Sequence, residues 1–248
     1  MGGLEFLAKK SESKLTKHRI LRSSAELRNV LPHTRSFSRR NFVAFIGRYS
    51  KVIAKPVSGS GGAGVLMITQ VKKETYQVHR GAKRKTIRGK KGAYRYVRRK
   101  LGTRYLLQRR ISLAQVGGRP FDVRVMVQRR PGSSWVVTGM LAKVAGRGYI
   151  ITNIKRSGGY VLPLSTAIQR SNIRASSPSV LARLRRIALL AARRLSGYYS
   201  SQLVFGFDMG IDAKGKVWII EANLRPDITL FAKLRDKQMY RTILTYRR

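Results

Sequence analysis

The sequence predicts a folded chain that mixes helices with hairpin-joined strands, an α+β pattern. Three observations carry this. Two apolar runs, 205–211 and 217–222, flank the turn residues Asp212-Ala213-Lys214-Gly215, which reads as a β-hairpin. Val180, Leu181, Leu184, Ile187, Ala188, Ala191 and Leu195 recur with helical spacing, while Arg183, Arg186 and Arg193 fall on the opposite side. Finally, 248 residues with 43% hydrophobic content can bury a core in one large domain or two intimately packed ones.

Taken in order, residues 1–13 read as a loose leader, and 14–31 as a helix with Leu15, Ile20, Leu21, Leu27 and Val30 among basic residues, stopped by Pro32. A second helix is expected over 38–49, with Ser38 as its N-cap. An apolar strand then ends at Lys55-Pro56, a glycine-rich loop spans 56–65, and a further strand starts at Val65. Residues 72–103 are dense in cations and read as a hairpin and a helix. Strands follow at 105–111 and 117–128, a turn at 130–134, a return strand at 135–144, and another strand ending in the polar, glycine-closed stretch 150–159. Ser177-Pro178 is a helix start, with Ser at the N-cap and Pro at N1, and Gly197 its stop.

Several chemistries are excluded or disfavoured. There is no cysteine, so disulfides and thiolate metal sites are out, and His18, His33 and His79 stand too far apart in sequence to suggest a zinc site. No apolar run approaches the ~20 residues needed to span a bilayer. The first residues lack the basic-then-apolar layout of a signal peptide, so a soluble cytoplasmic protein is expected. The chain carries 53 Lys+Arg against 10 Asp+Glu, a formal net charge of +43. Such a field favours polyanionic partners: nucleic acid, acidic polymers, anionic membrane surfaces or an acidic protein coat. Charge alone does not choose among them.

Against that background the acids stand out, because four of the ten lie between Asp208 and Asp227. Side chains alternate along a strand, so Glu221 and Asn223 share a face. If the hairpin loop has four residues, Asp208 falls opposite Ile219 and joins that face. Two carboxylates and an amide oxygen then converge, a donor set that suits Mg²⁺; a one-residue slip would send Asp208 to the other face. Two readings stand: a metal site, or structural ion pairs to nearby arginines. Asp212 reads as a turn residue.

The glycines at 59, 61, 62 and 64 permit either a phosphate-cradling loop, with Lys55 as a point charge beside it, or a plain flexible hairpin. It is not a Walker A sequence. In 117–128, Phe121, Val123, Val125 and Val127 take one face, and Asp122, Arg124, Met126 and Gln128 the other. Asp122 and Arg124 are then either a charge pair or an oriented phosphate contact. The cations of 72–104, with Tyr94 and Tyr96, read as a solvated face or a polyanion patch.

In combination these pieces resemble a known family. Lys55-Pro56 followed by Gly-Ser-Gly-Gly-Ala-Gly, then Phe-Asp-Val-Arg-Val, then Thr-Asn-Ile…Gly-Gly, and Asp208 thirteen residues before Glu221-Ala-Asn223, look like an ATP-grasp protein. Leu31-Pro-His-Thr34, Tyr105-Leu-Leu-Gln-Arg-Arg-Ile-Ser-Leu113, Arg119-Pro-Phe-Asp-Val-Arg-Val-Met-Val-Gln128 and Val217-Trp-Ile-Ile-Glu-Ala-Asn223 resemble the YheC/YheD branch, described as spore-coat-associated. The resemblance implies an ATP-grasp fold: two α+β subdomains with ATP between them, here without a full N-terminal pre-grasp domain. The expected subdomains are 14–107 and 108–233, followed by a basic tail, 234–248. It implies Mg²⁺ held by Asp208, Glu221 and Asn223. It implies ATP met by Lys14, Lys55 and the loop residues Ser58, Gly59, Ser60, Gly61, Gly62 and Gly64, with the adenine against Gln108, Arg109 and Ile111. Arg124 and Asn153 would lie near the γ-phosphate and the reacting carboxylate.

The resemblance implies an ATP- and Mg-dependent carboxylate–amine ligase working through an acyl phosphate. The charge adds an expectation that its substrate is an acidic macromolecule, such as a spore-coat component or polyanionic peptide. Two other classes stand beside it: a non-catalytic coat or assembly protein on an ATP-grasp fold, and a nucleic-acid-binding protein using the basic segments 72–104 and 183–194.

Overall fold

The computed structural model describes residues 11–59, 61–81, 83–102, 104–149 and 154–247. In chain order the elements are α1 (Lys14–Arg22), α2 (Ala25–Arg28), β1 (Thr34–Ser36), α3 (Arg39–Arg48), β2 (Lys51–Pro56), β3 (Leu66–Lys72), β4 (Thr75–Arg80), β5 (Lys83–Arg88), α4 (Lys90–Lys100) and β6 (Tyr105–Arg109). They continue with β7 (Gln115–Val116), β8 (Arg119–Gln128), β9 (Val136–Val144), α5 (Ile154–Ser157), β10 (Tyr160–Pro163), α6 (Leu164–Gln169), α7 (Ser177–Ser196), β11 (Val204–Ile211), β12 (Val217–Asn223), a 3₁₀ turn at Phe231–Lys233, and α8 (Gln238–Thr245).

The strands form two antiparallel sheets. The first runs β1-β6-β2-β3-β4-β5, and the second β10-β9-β8-β11-β12 with β7 paired to β8. On the first sheet Phe42, Phe45 and Ile46 of α3 and Ala93 and Val97 of α4 bury against Val52, Ile68, Tyr76 and Val78. Ser38 caps α3 by accepting from the Asn41 N–H. On the second sheet the alternation predicted for 121–128 is realised: Phe121, Val123, Val125 and Val127 sink into a core with the Val180–Leu195 stripe of α7. The opposite face is shared between a smaller apolar cluster, in which Phe231 and Ile243 pack on Met126 and Leu141, and a polar cleft that meets the first sheet.

Four expectations need correction. The helix over 14–31 breaks into α1 and α2 at Ser23-Ser24, where the Ser23 hydroxyl donates to the Ile20 carbonyl at 2.7 Å instead of leaving the helix ladder undisturbed. Residues 234–248 include more than a basic tail: α8 lies on β9, with Ile243 fully buried. Within the stretch 150–159, expected to end a strand in a polar loop, Ile154–Ser157 is helical; residues 150–153 lie outside the described residues. Helix α7 begins one residue early, with Ser176 as N-cap. In addition, the expected subdomain boundary at 107/108 falls within β6, all of which belongs to the first sheet.

Candidate active site

The hairpin β11–β12 places the key acids, but not in the register the turn suggested. Its loop holds five residues, closed by Asp212 N–H to the Lys216 carbonyl at 3.0 Å, so Ile211 pairs with Val217 and Met209 with Ile219. Continued regularly, that ladder would turn Asp208 and Glu221 to opposite faces. A β-bulge between Met209 and Asp208 leaves Ile220 as the extra residue and sets Asp208 directly opposite Glu221, and Gly206 opposite Asn223. Two departures from the expected register therefore cancel, and the three oxygen-bearing side chains share one face.

The bulge has a second consequence. The Ile220 carbonyl is released toward the first sheet, where the Lys55 ammonium donates to it at 3.3 Å and to Gln108 Oε1 at 3.0 Å. Gln108 in turn donates to the Thr34 hydroxyl at 3.0 Å. This chain of hydrogen bonds joins β1, β6, β2 and β12 across the junction of the two sheets. Burial pushes the Lys55 ammonium below its usual pKa, with Glu221 pulling the other way.

Beside it lies a compact charge network. Lys143 of β9 sits between two carboxylates, 3.1 Å from Asp122 and 2.7 Å from Asp208. Arg124 grips the same Asp208 through Nε at 2.9 Å and Nη2 at 3.3 Å, and its Nη1 donates to the Asp227 carbonyl at 3.2 Å. Burial alone would raise the Asp208 pKa, yet Arg124 and Lys143 hold it well below the usual carboxylate range. Conversely, burial would lower Lys143 and Arg124, and the neighbouring carboxylates hold both above their ordinary values. Asp208, Lys143 and Arg124 are therefore charged at neutral pH.

These groups line one cleft of about 440 Å³ between the sheets. Of the site residues expected from sequence, it brings together Lys55, Gly61, Gly62, Gln108, Arg109, Ile111, Arg124, Asp208, Glu221 and Asn223. Lys14 lies in an adjoining cavity with Lys17, His18 and Lys55, its ammonium 3.7 Å from Glu221 and bonded to the Gly59 carbonyl. Ser58 and Gly59 line a separate depression that runs along α1 to Asn223 and Arg225. Gly64 packs beneath β6: a Cβ there would come 2.6 Å from the Tyr105 hydroxyl, and its φ of +72° favours glycine besides. Ser60 and Asn153 lie outside the described residues.

Some site residues carry little sequence signal. Lys143 is a single cation in an otherwise apolar return strand, and only its cross-strand position opposite Asp122 reveals it. Arg110, which burial pushes below its ordinary pKa against the pull of Asp122, also lines the cleft. His18 is held at about 4 by burial, reinforced by Lys55 and Arg22.

The donor set fits a hard divalent cation in kind: two carboxylates and an amide, all oxygen ligands, on one face. Among the described residues no three His, Cys, Asp or Glu side chains gather to hold a metal ion; the third donor here is Asn223. Both Asp208 oxygens already accept from cations, so a metal would share or displace those contacts, while among the described residues Glu221 meets the more distant Lys14 ammonium.

Residues 3–247 match the family model described as YheC/D like ATP-grasp. This chain belongs to the YheC/D-like ATP-grasp family. Two curated Bacillus subtilis (strain 168) proteins are similar. Endospore coat-associated protein YheD is 30% identical over 192 residues, 75% of this chain and 42% of that protein. Endospore coat-associated protein YheC is 23% identical over 229 residues, 90% of this chain and 62% of that protein. The chain thus spans about two fifths of the length of YheD and just over three fifths of that of YheC. Among solved structures, the VanG D-Ala:D-Ser ligase of Enterococcus faecalis superposes with a TM-score of 0.56 at 14% identity, covering 94% of this chain and 60% of that one. The ATP-grasp ligase PsnB, complexed with a phosphomimetic variant of its minimal precursor, Mg and ADP, gives 0.54 at 14% identity, with 93% and 56% covered. These likenesses establish the ATP-grasp fold. Among the described residues no helix is long and apolar enough to cross a membrane.

Proposed function

We propose that this chain binds ATP with Mg²⁺ in the cleft between its sheets and uses it to join a carboxylate to an amine. The observation that carries the reading is the convergence of Lys55 and Gly61-Gly62 from the first sheet with Asp208, Glu221 and Asn223 from the second in one cleft. Lys55 and the loop N–H groups would meet phosphate oxygens, and Gln108–Ile111 with the apolar wall of Ile53, Val65 and Ile220 would take the adenine. Asp208, Glu221 and Asn223 would hold Mg²⁺, which when bound neutralises phosphate charge.

Arg124 and Lys143 would stabilise the charge on the phosphoryl group in flight. Phosphoryl transfer needs positioning and electrostatic stabilisation more than a protein nucleophile, in keeping with the His- and Cys-free cleft. A carboxylate oxygen attacks the γ-phosphorus as the bond to ADP breaks. The amine nitrogen then attacks the acyl carbon, phosphate departs, and the amine loses its proton to solvent. The net charge of +43 supports an acidic macromolecule as carboxylate donor, and the names of the relatives support a spore-coat setting.

The test is positional isotope exchange. ATP labelled with ¹⁸O in the β,γ-bridge is incubated with the protein, Mg²⁺ and a panel of acidic peptides and short carboxylic acids. Scrambling that requires a carboxylate but no amine is the expected result. Intact label, together with ADP release indifferent to every carboxylate, would instead favour a second reading. In that case the Asp122–Lys143–Asp208–Arg124 network is a structural ion cluster in a non-catalytic assembly protein, as its already saturated Asp208 oxygens suggest.

A further inference from the structure

The cleft leaves most of the positive charge unexplained. Between Glu74 and Asp122 the chain contains no acid at all, and Glu74 is engaged by Lys90 at 3.8 Å. The cations of this segment concentrate on β5 and α4, at the far end of the first sheet. There Lys85, Thr86 and Ile87 of β5 face Gly92, Arg95, Tyr96, Arg98 and Arg99 of α4 across a trough of about 640 Å³ that shares no lining residue with the nucleotide cleft.

The trough has an apolar floor and a cationic rim. Ile87 is half-buried against the core beneath α4, close enough to Gly92 that a Cβ there would come 3.2 Å from its Cγ2. Lys83, Lys85, Arg95, Arg98 and Arg99 are exposed around it. One side is also a backbone edge, since among the described residues β5 ends the sheet order and pairs with β4 alone. The Gly89 N–H donates to the Glu74 carbonyl at 2.7 Å. In an antiparallel ladder, bonded and non-bonded pairs alternate. With Gly89–Glu74 bonded, Ile87 and Lys85 also point their N–H and C=O groups inward to β4, whereas Arg88, Thr86 and Arg84 point theirs outward.

We propose that this trough docks an extended acidic polypeptide, which adds to the outward edge of β5 as a further strand while its carboxylates meet the cationic rim. Main-chain hydrogen bonds to an open edge supply affinity, and side-chain pockets on alternate residues supply selection. Cations along the edge repel a second copy of the same strand and attract an acidic one. Nucleic acid is the poorer fit, because it cannot add to the open main-chain edge of β5 and the two rings beside the trough each have one face engaged. Tyr94 stacks on Phe37 with centroids 5.8 Å apart, and Tyr96 lies under the Lys100 ammonium at 5.7 Å.

The experiment is a fluorescence-anisotropy titration of the full chain with a fluorescein-labelled peptide of alternating glutamate and valine. The same peptide with prolines in place of the valines, and a labelled DNA duplex, are titrated alongside. The double variant Arg95→Glu/Arg98→Glu is expected to weaken the peptide at least about tenfold. Thr86→Pro removes an outward N–H without touching the β4 ladder, and should weaken the peptide by a similar factor while leaving duplex binding unchanged. If Thr86→Pro fails to fold, the proline peptide poses the same question from the ligand side, and is expected to bind at least about tenfold more weakly. Peptide affinity indifferent to the charge reversals would overturn the proposal, as would equal binding of the proline peptide. So would a duplex that displaces the peptide and outbinds it. Since the trough and the nucleotide cleft share no residues, Glu221→Ala should leave peptide binding intact, so failure here is distinct from failure of the ligase reading.

Discussion

The cleft and the outer trough are built from the same residue types in opposite arrangements. In the cleft, acids and bases interleave: Asp122, Lys143, Asp208 and Arg124 form one connected series with contacts of 2.7 to 3.1 Å. In the trough no acid is present, and cations stand in water along an open strand edge. In a chain so rich in Lys and Arg, it is the placement of the few acids that marks a structured electrostatic site. Unmatched cations mark a surface awaiting an anion.

The largest effect that would sharpen this contrast is at Asp208. Removing one partner from a buried pair leaves uncompensated charge, at a cost of about 3–5 kcal/mol. Asp208→Ala takes the carboxylate from Arg124 and leaves Lys143 with Asp122 alone, so a loss of that order is expected in urea unfolding. A loss below about 1 kcal/mol would break the claim that the network is one unit.

Lys55→Met should separate stability from binding. The Lys55 ammonium is buried and already below its usual pKa, so relief of that burial should offset part of the hydrogen bonds lost to Gln108 and the Ile220 carbonyl, and the unfolding midpoint should fall only modestly. The affinity for Mg·ATP, by contrast, should fall at least about tenfold, in line with loss of a charge-assisted hydrogen bond worth about 1.5–3 kcal/mol. Calorimetry and thermal unfolding of the same sample check both halves.

Two pH effects follow, with signs fixed by the direction of each shift. The folded-state pKa of Asp208 is depressed, so its contribution is complete above the unfolded value near ~4 and is lost as pH falls through the folded value. His18 is held at about 4 against an ordinary 6.5. The folded state keeps it neutral where the unfolded chain would protonate it, so that stability is present above 6.5 and drains away as pH falls from there through 4. His18→Gln should flatten the stability curve in that window and leave the limb below it, which belongs to Asp208, steep. Smallest of all, Arg98→Glu on the exposed face of α4 should leave stability within about 0.5 kcal/mol and Mg·ATP affinity unchanged.

Much of the architecture was legible in the sequence because it rests on periodicity. The Phe121–Val127 alternation and the Val180–Leu195 stripe each name their own buried face, and both lie in the main core. Scarce acids likewise pointed to Asp208 and Glu221. What sequence could not supply was register. Nothing in Val217-Trp-Ile-Ile-Glu announces a bulge at Ile220, and a loop one residue longer than its turn chemistry suggested would by itself have turned Asp208 away. Lys143 was hidden for a related reason: a lone cation in an apolar strand acquires meaning only from Asp122 and Asp208 on its neighbours. Helix α8 was masked by its basic surroundings, with Ile243 as its sole fully buried residue.

The proposed Mg·ATP site depends on Glu221 and Asn223, brought level with Asp208 by the Ile220 bulge. Isothermal titration of Mg·ATP into the wild-type chain and Glu221→Ala measures it directly, since among the described residues Glu221 pairs with Lys14 alone, at 3.7 Å, and its loss should spare the fold. The proposed site requires measurable, Mg²⁺-dependent binding by the wild type and at least about a tenfold loss in the folded variant. Equal affinity in the two proteins would contradict it.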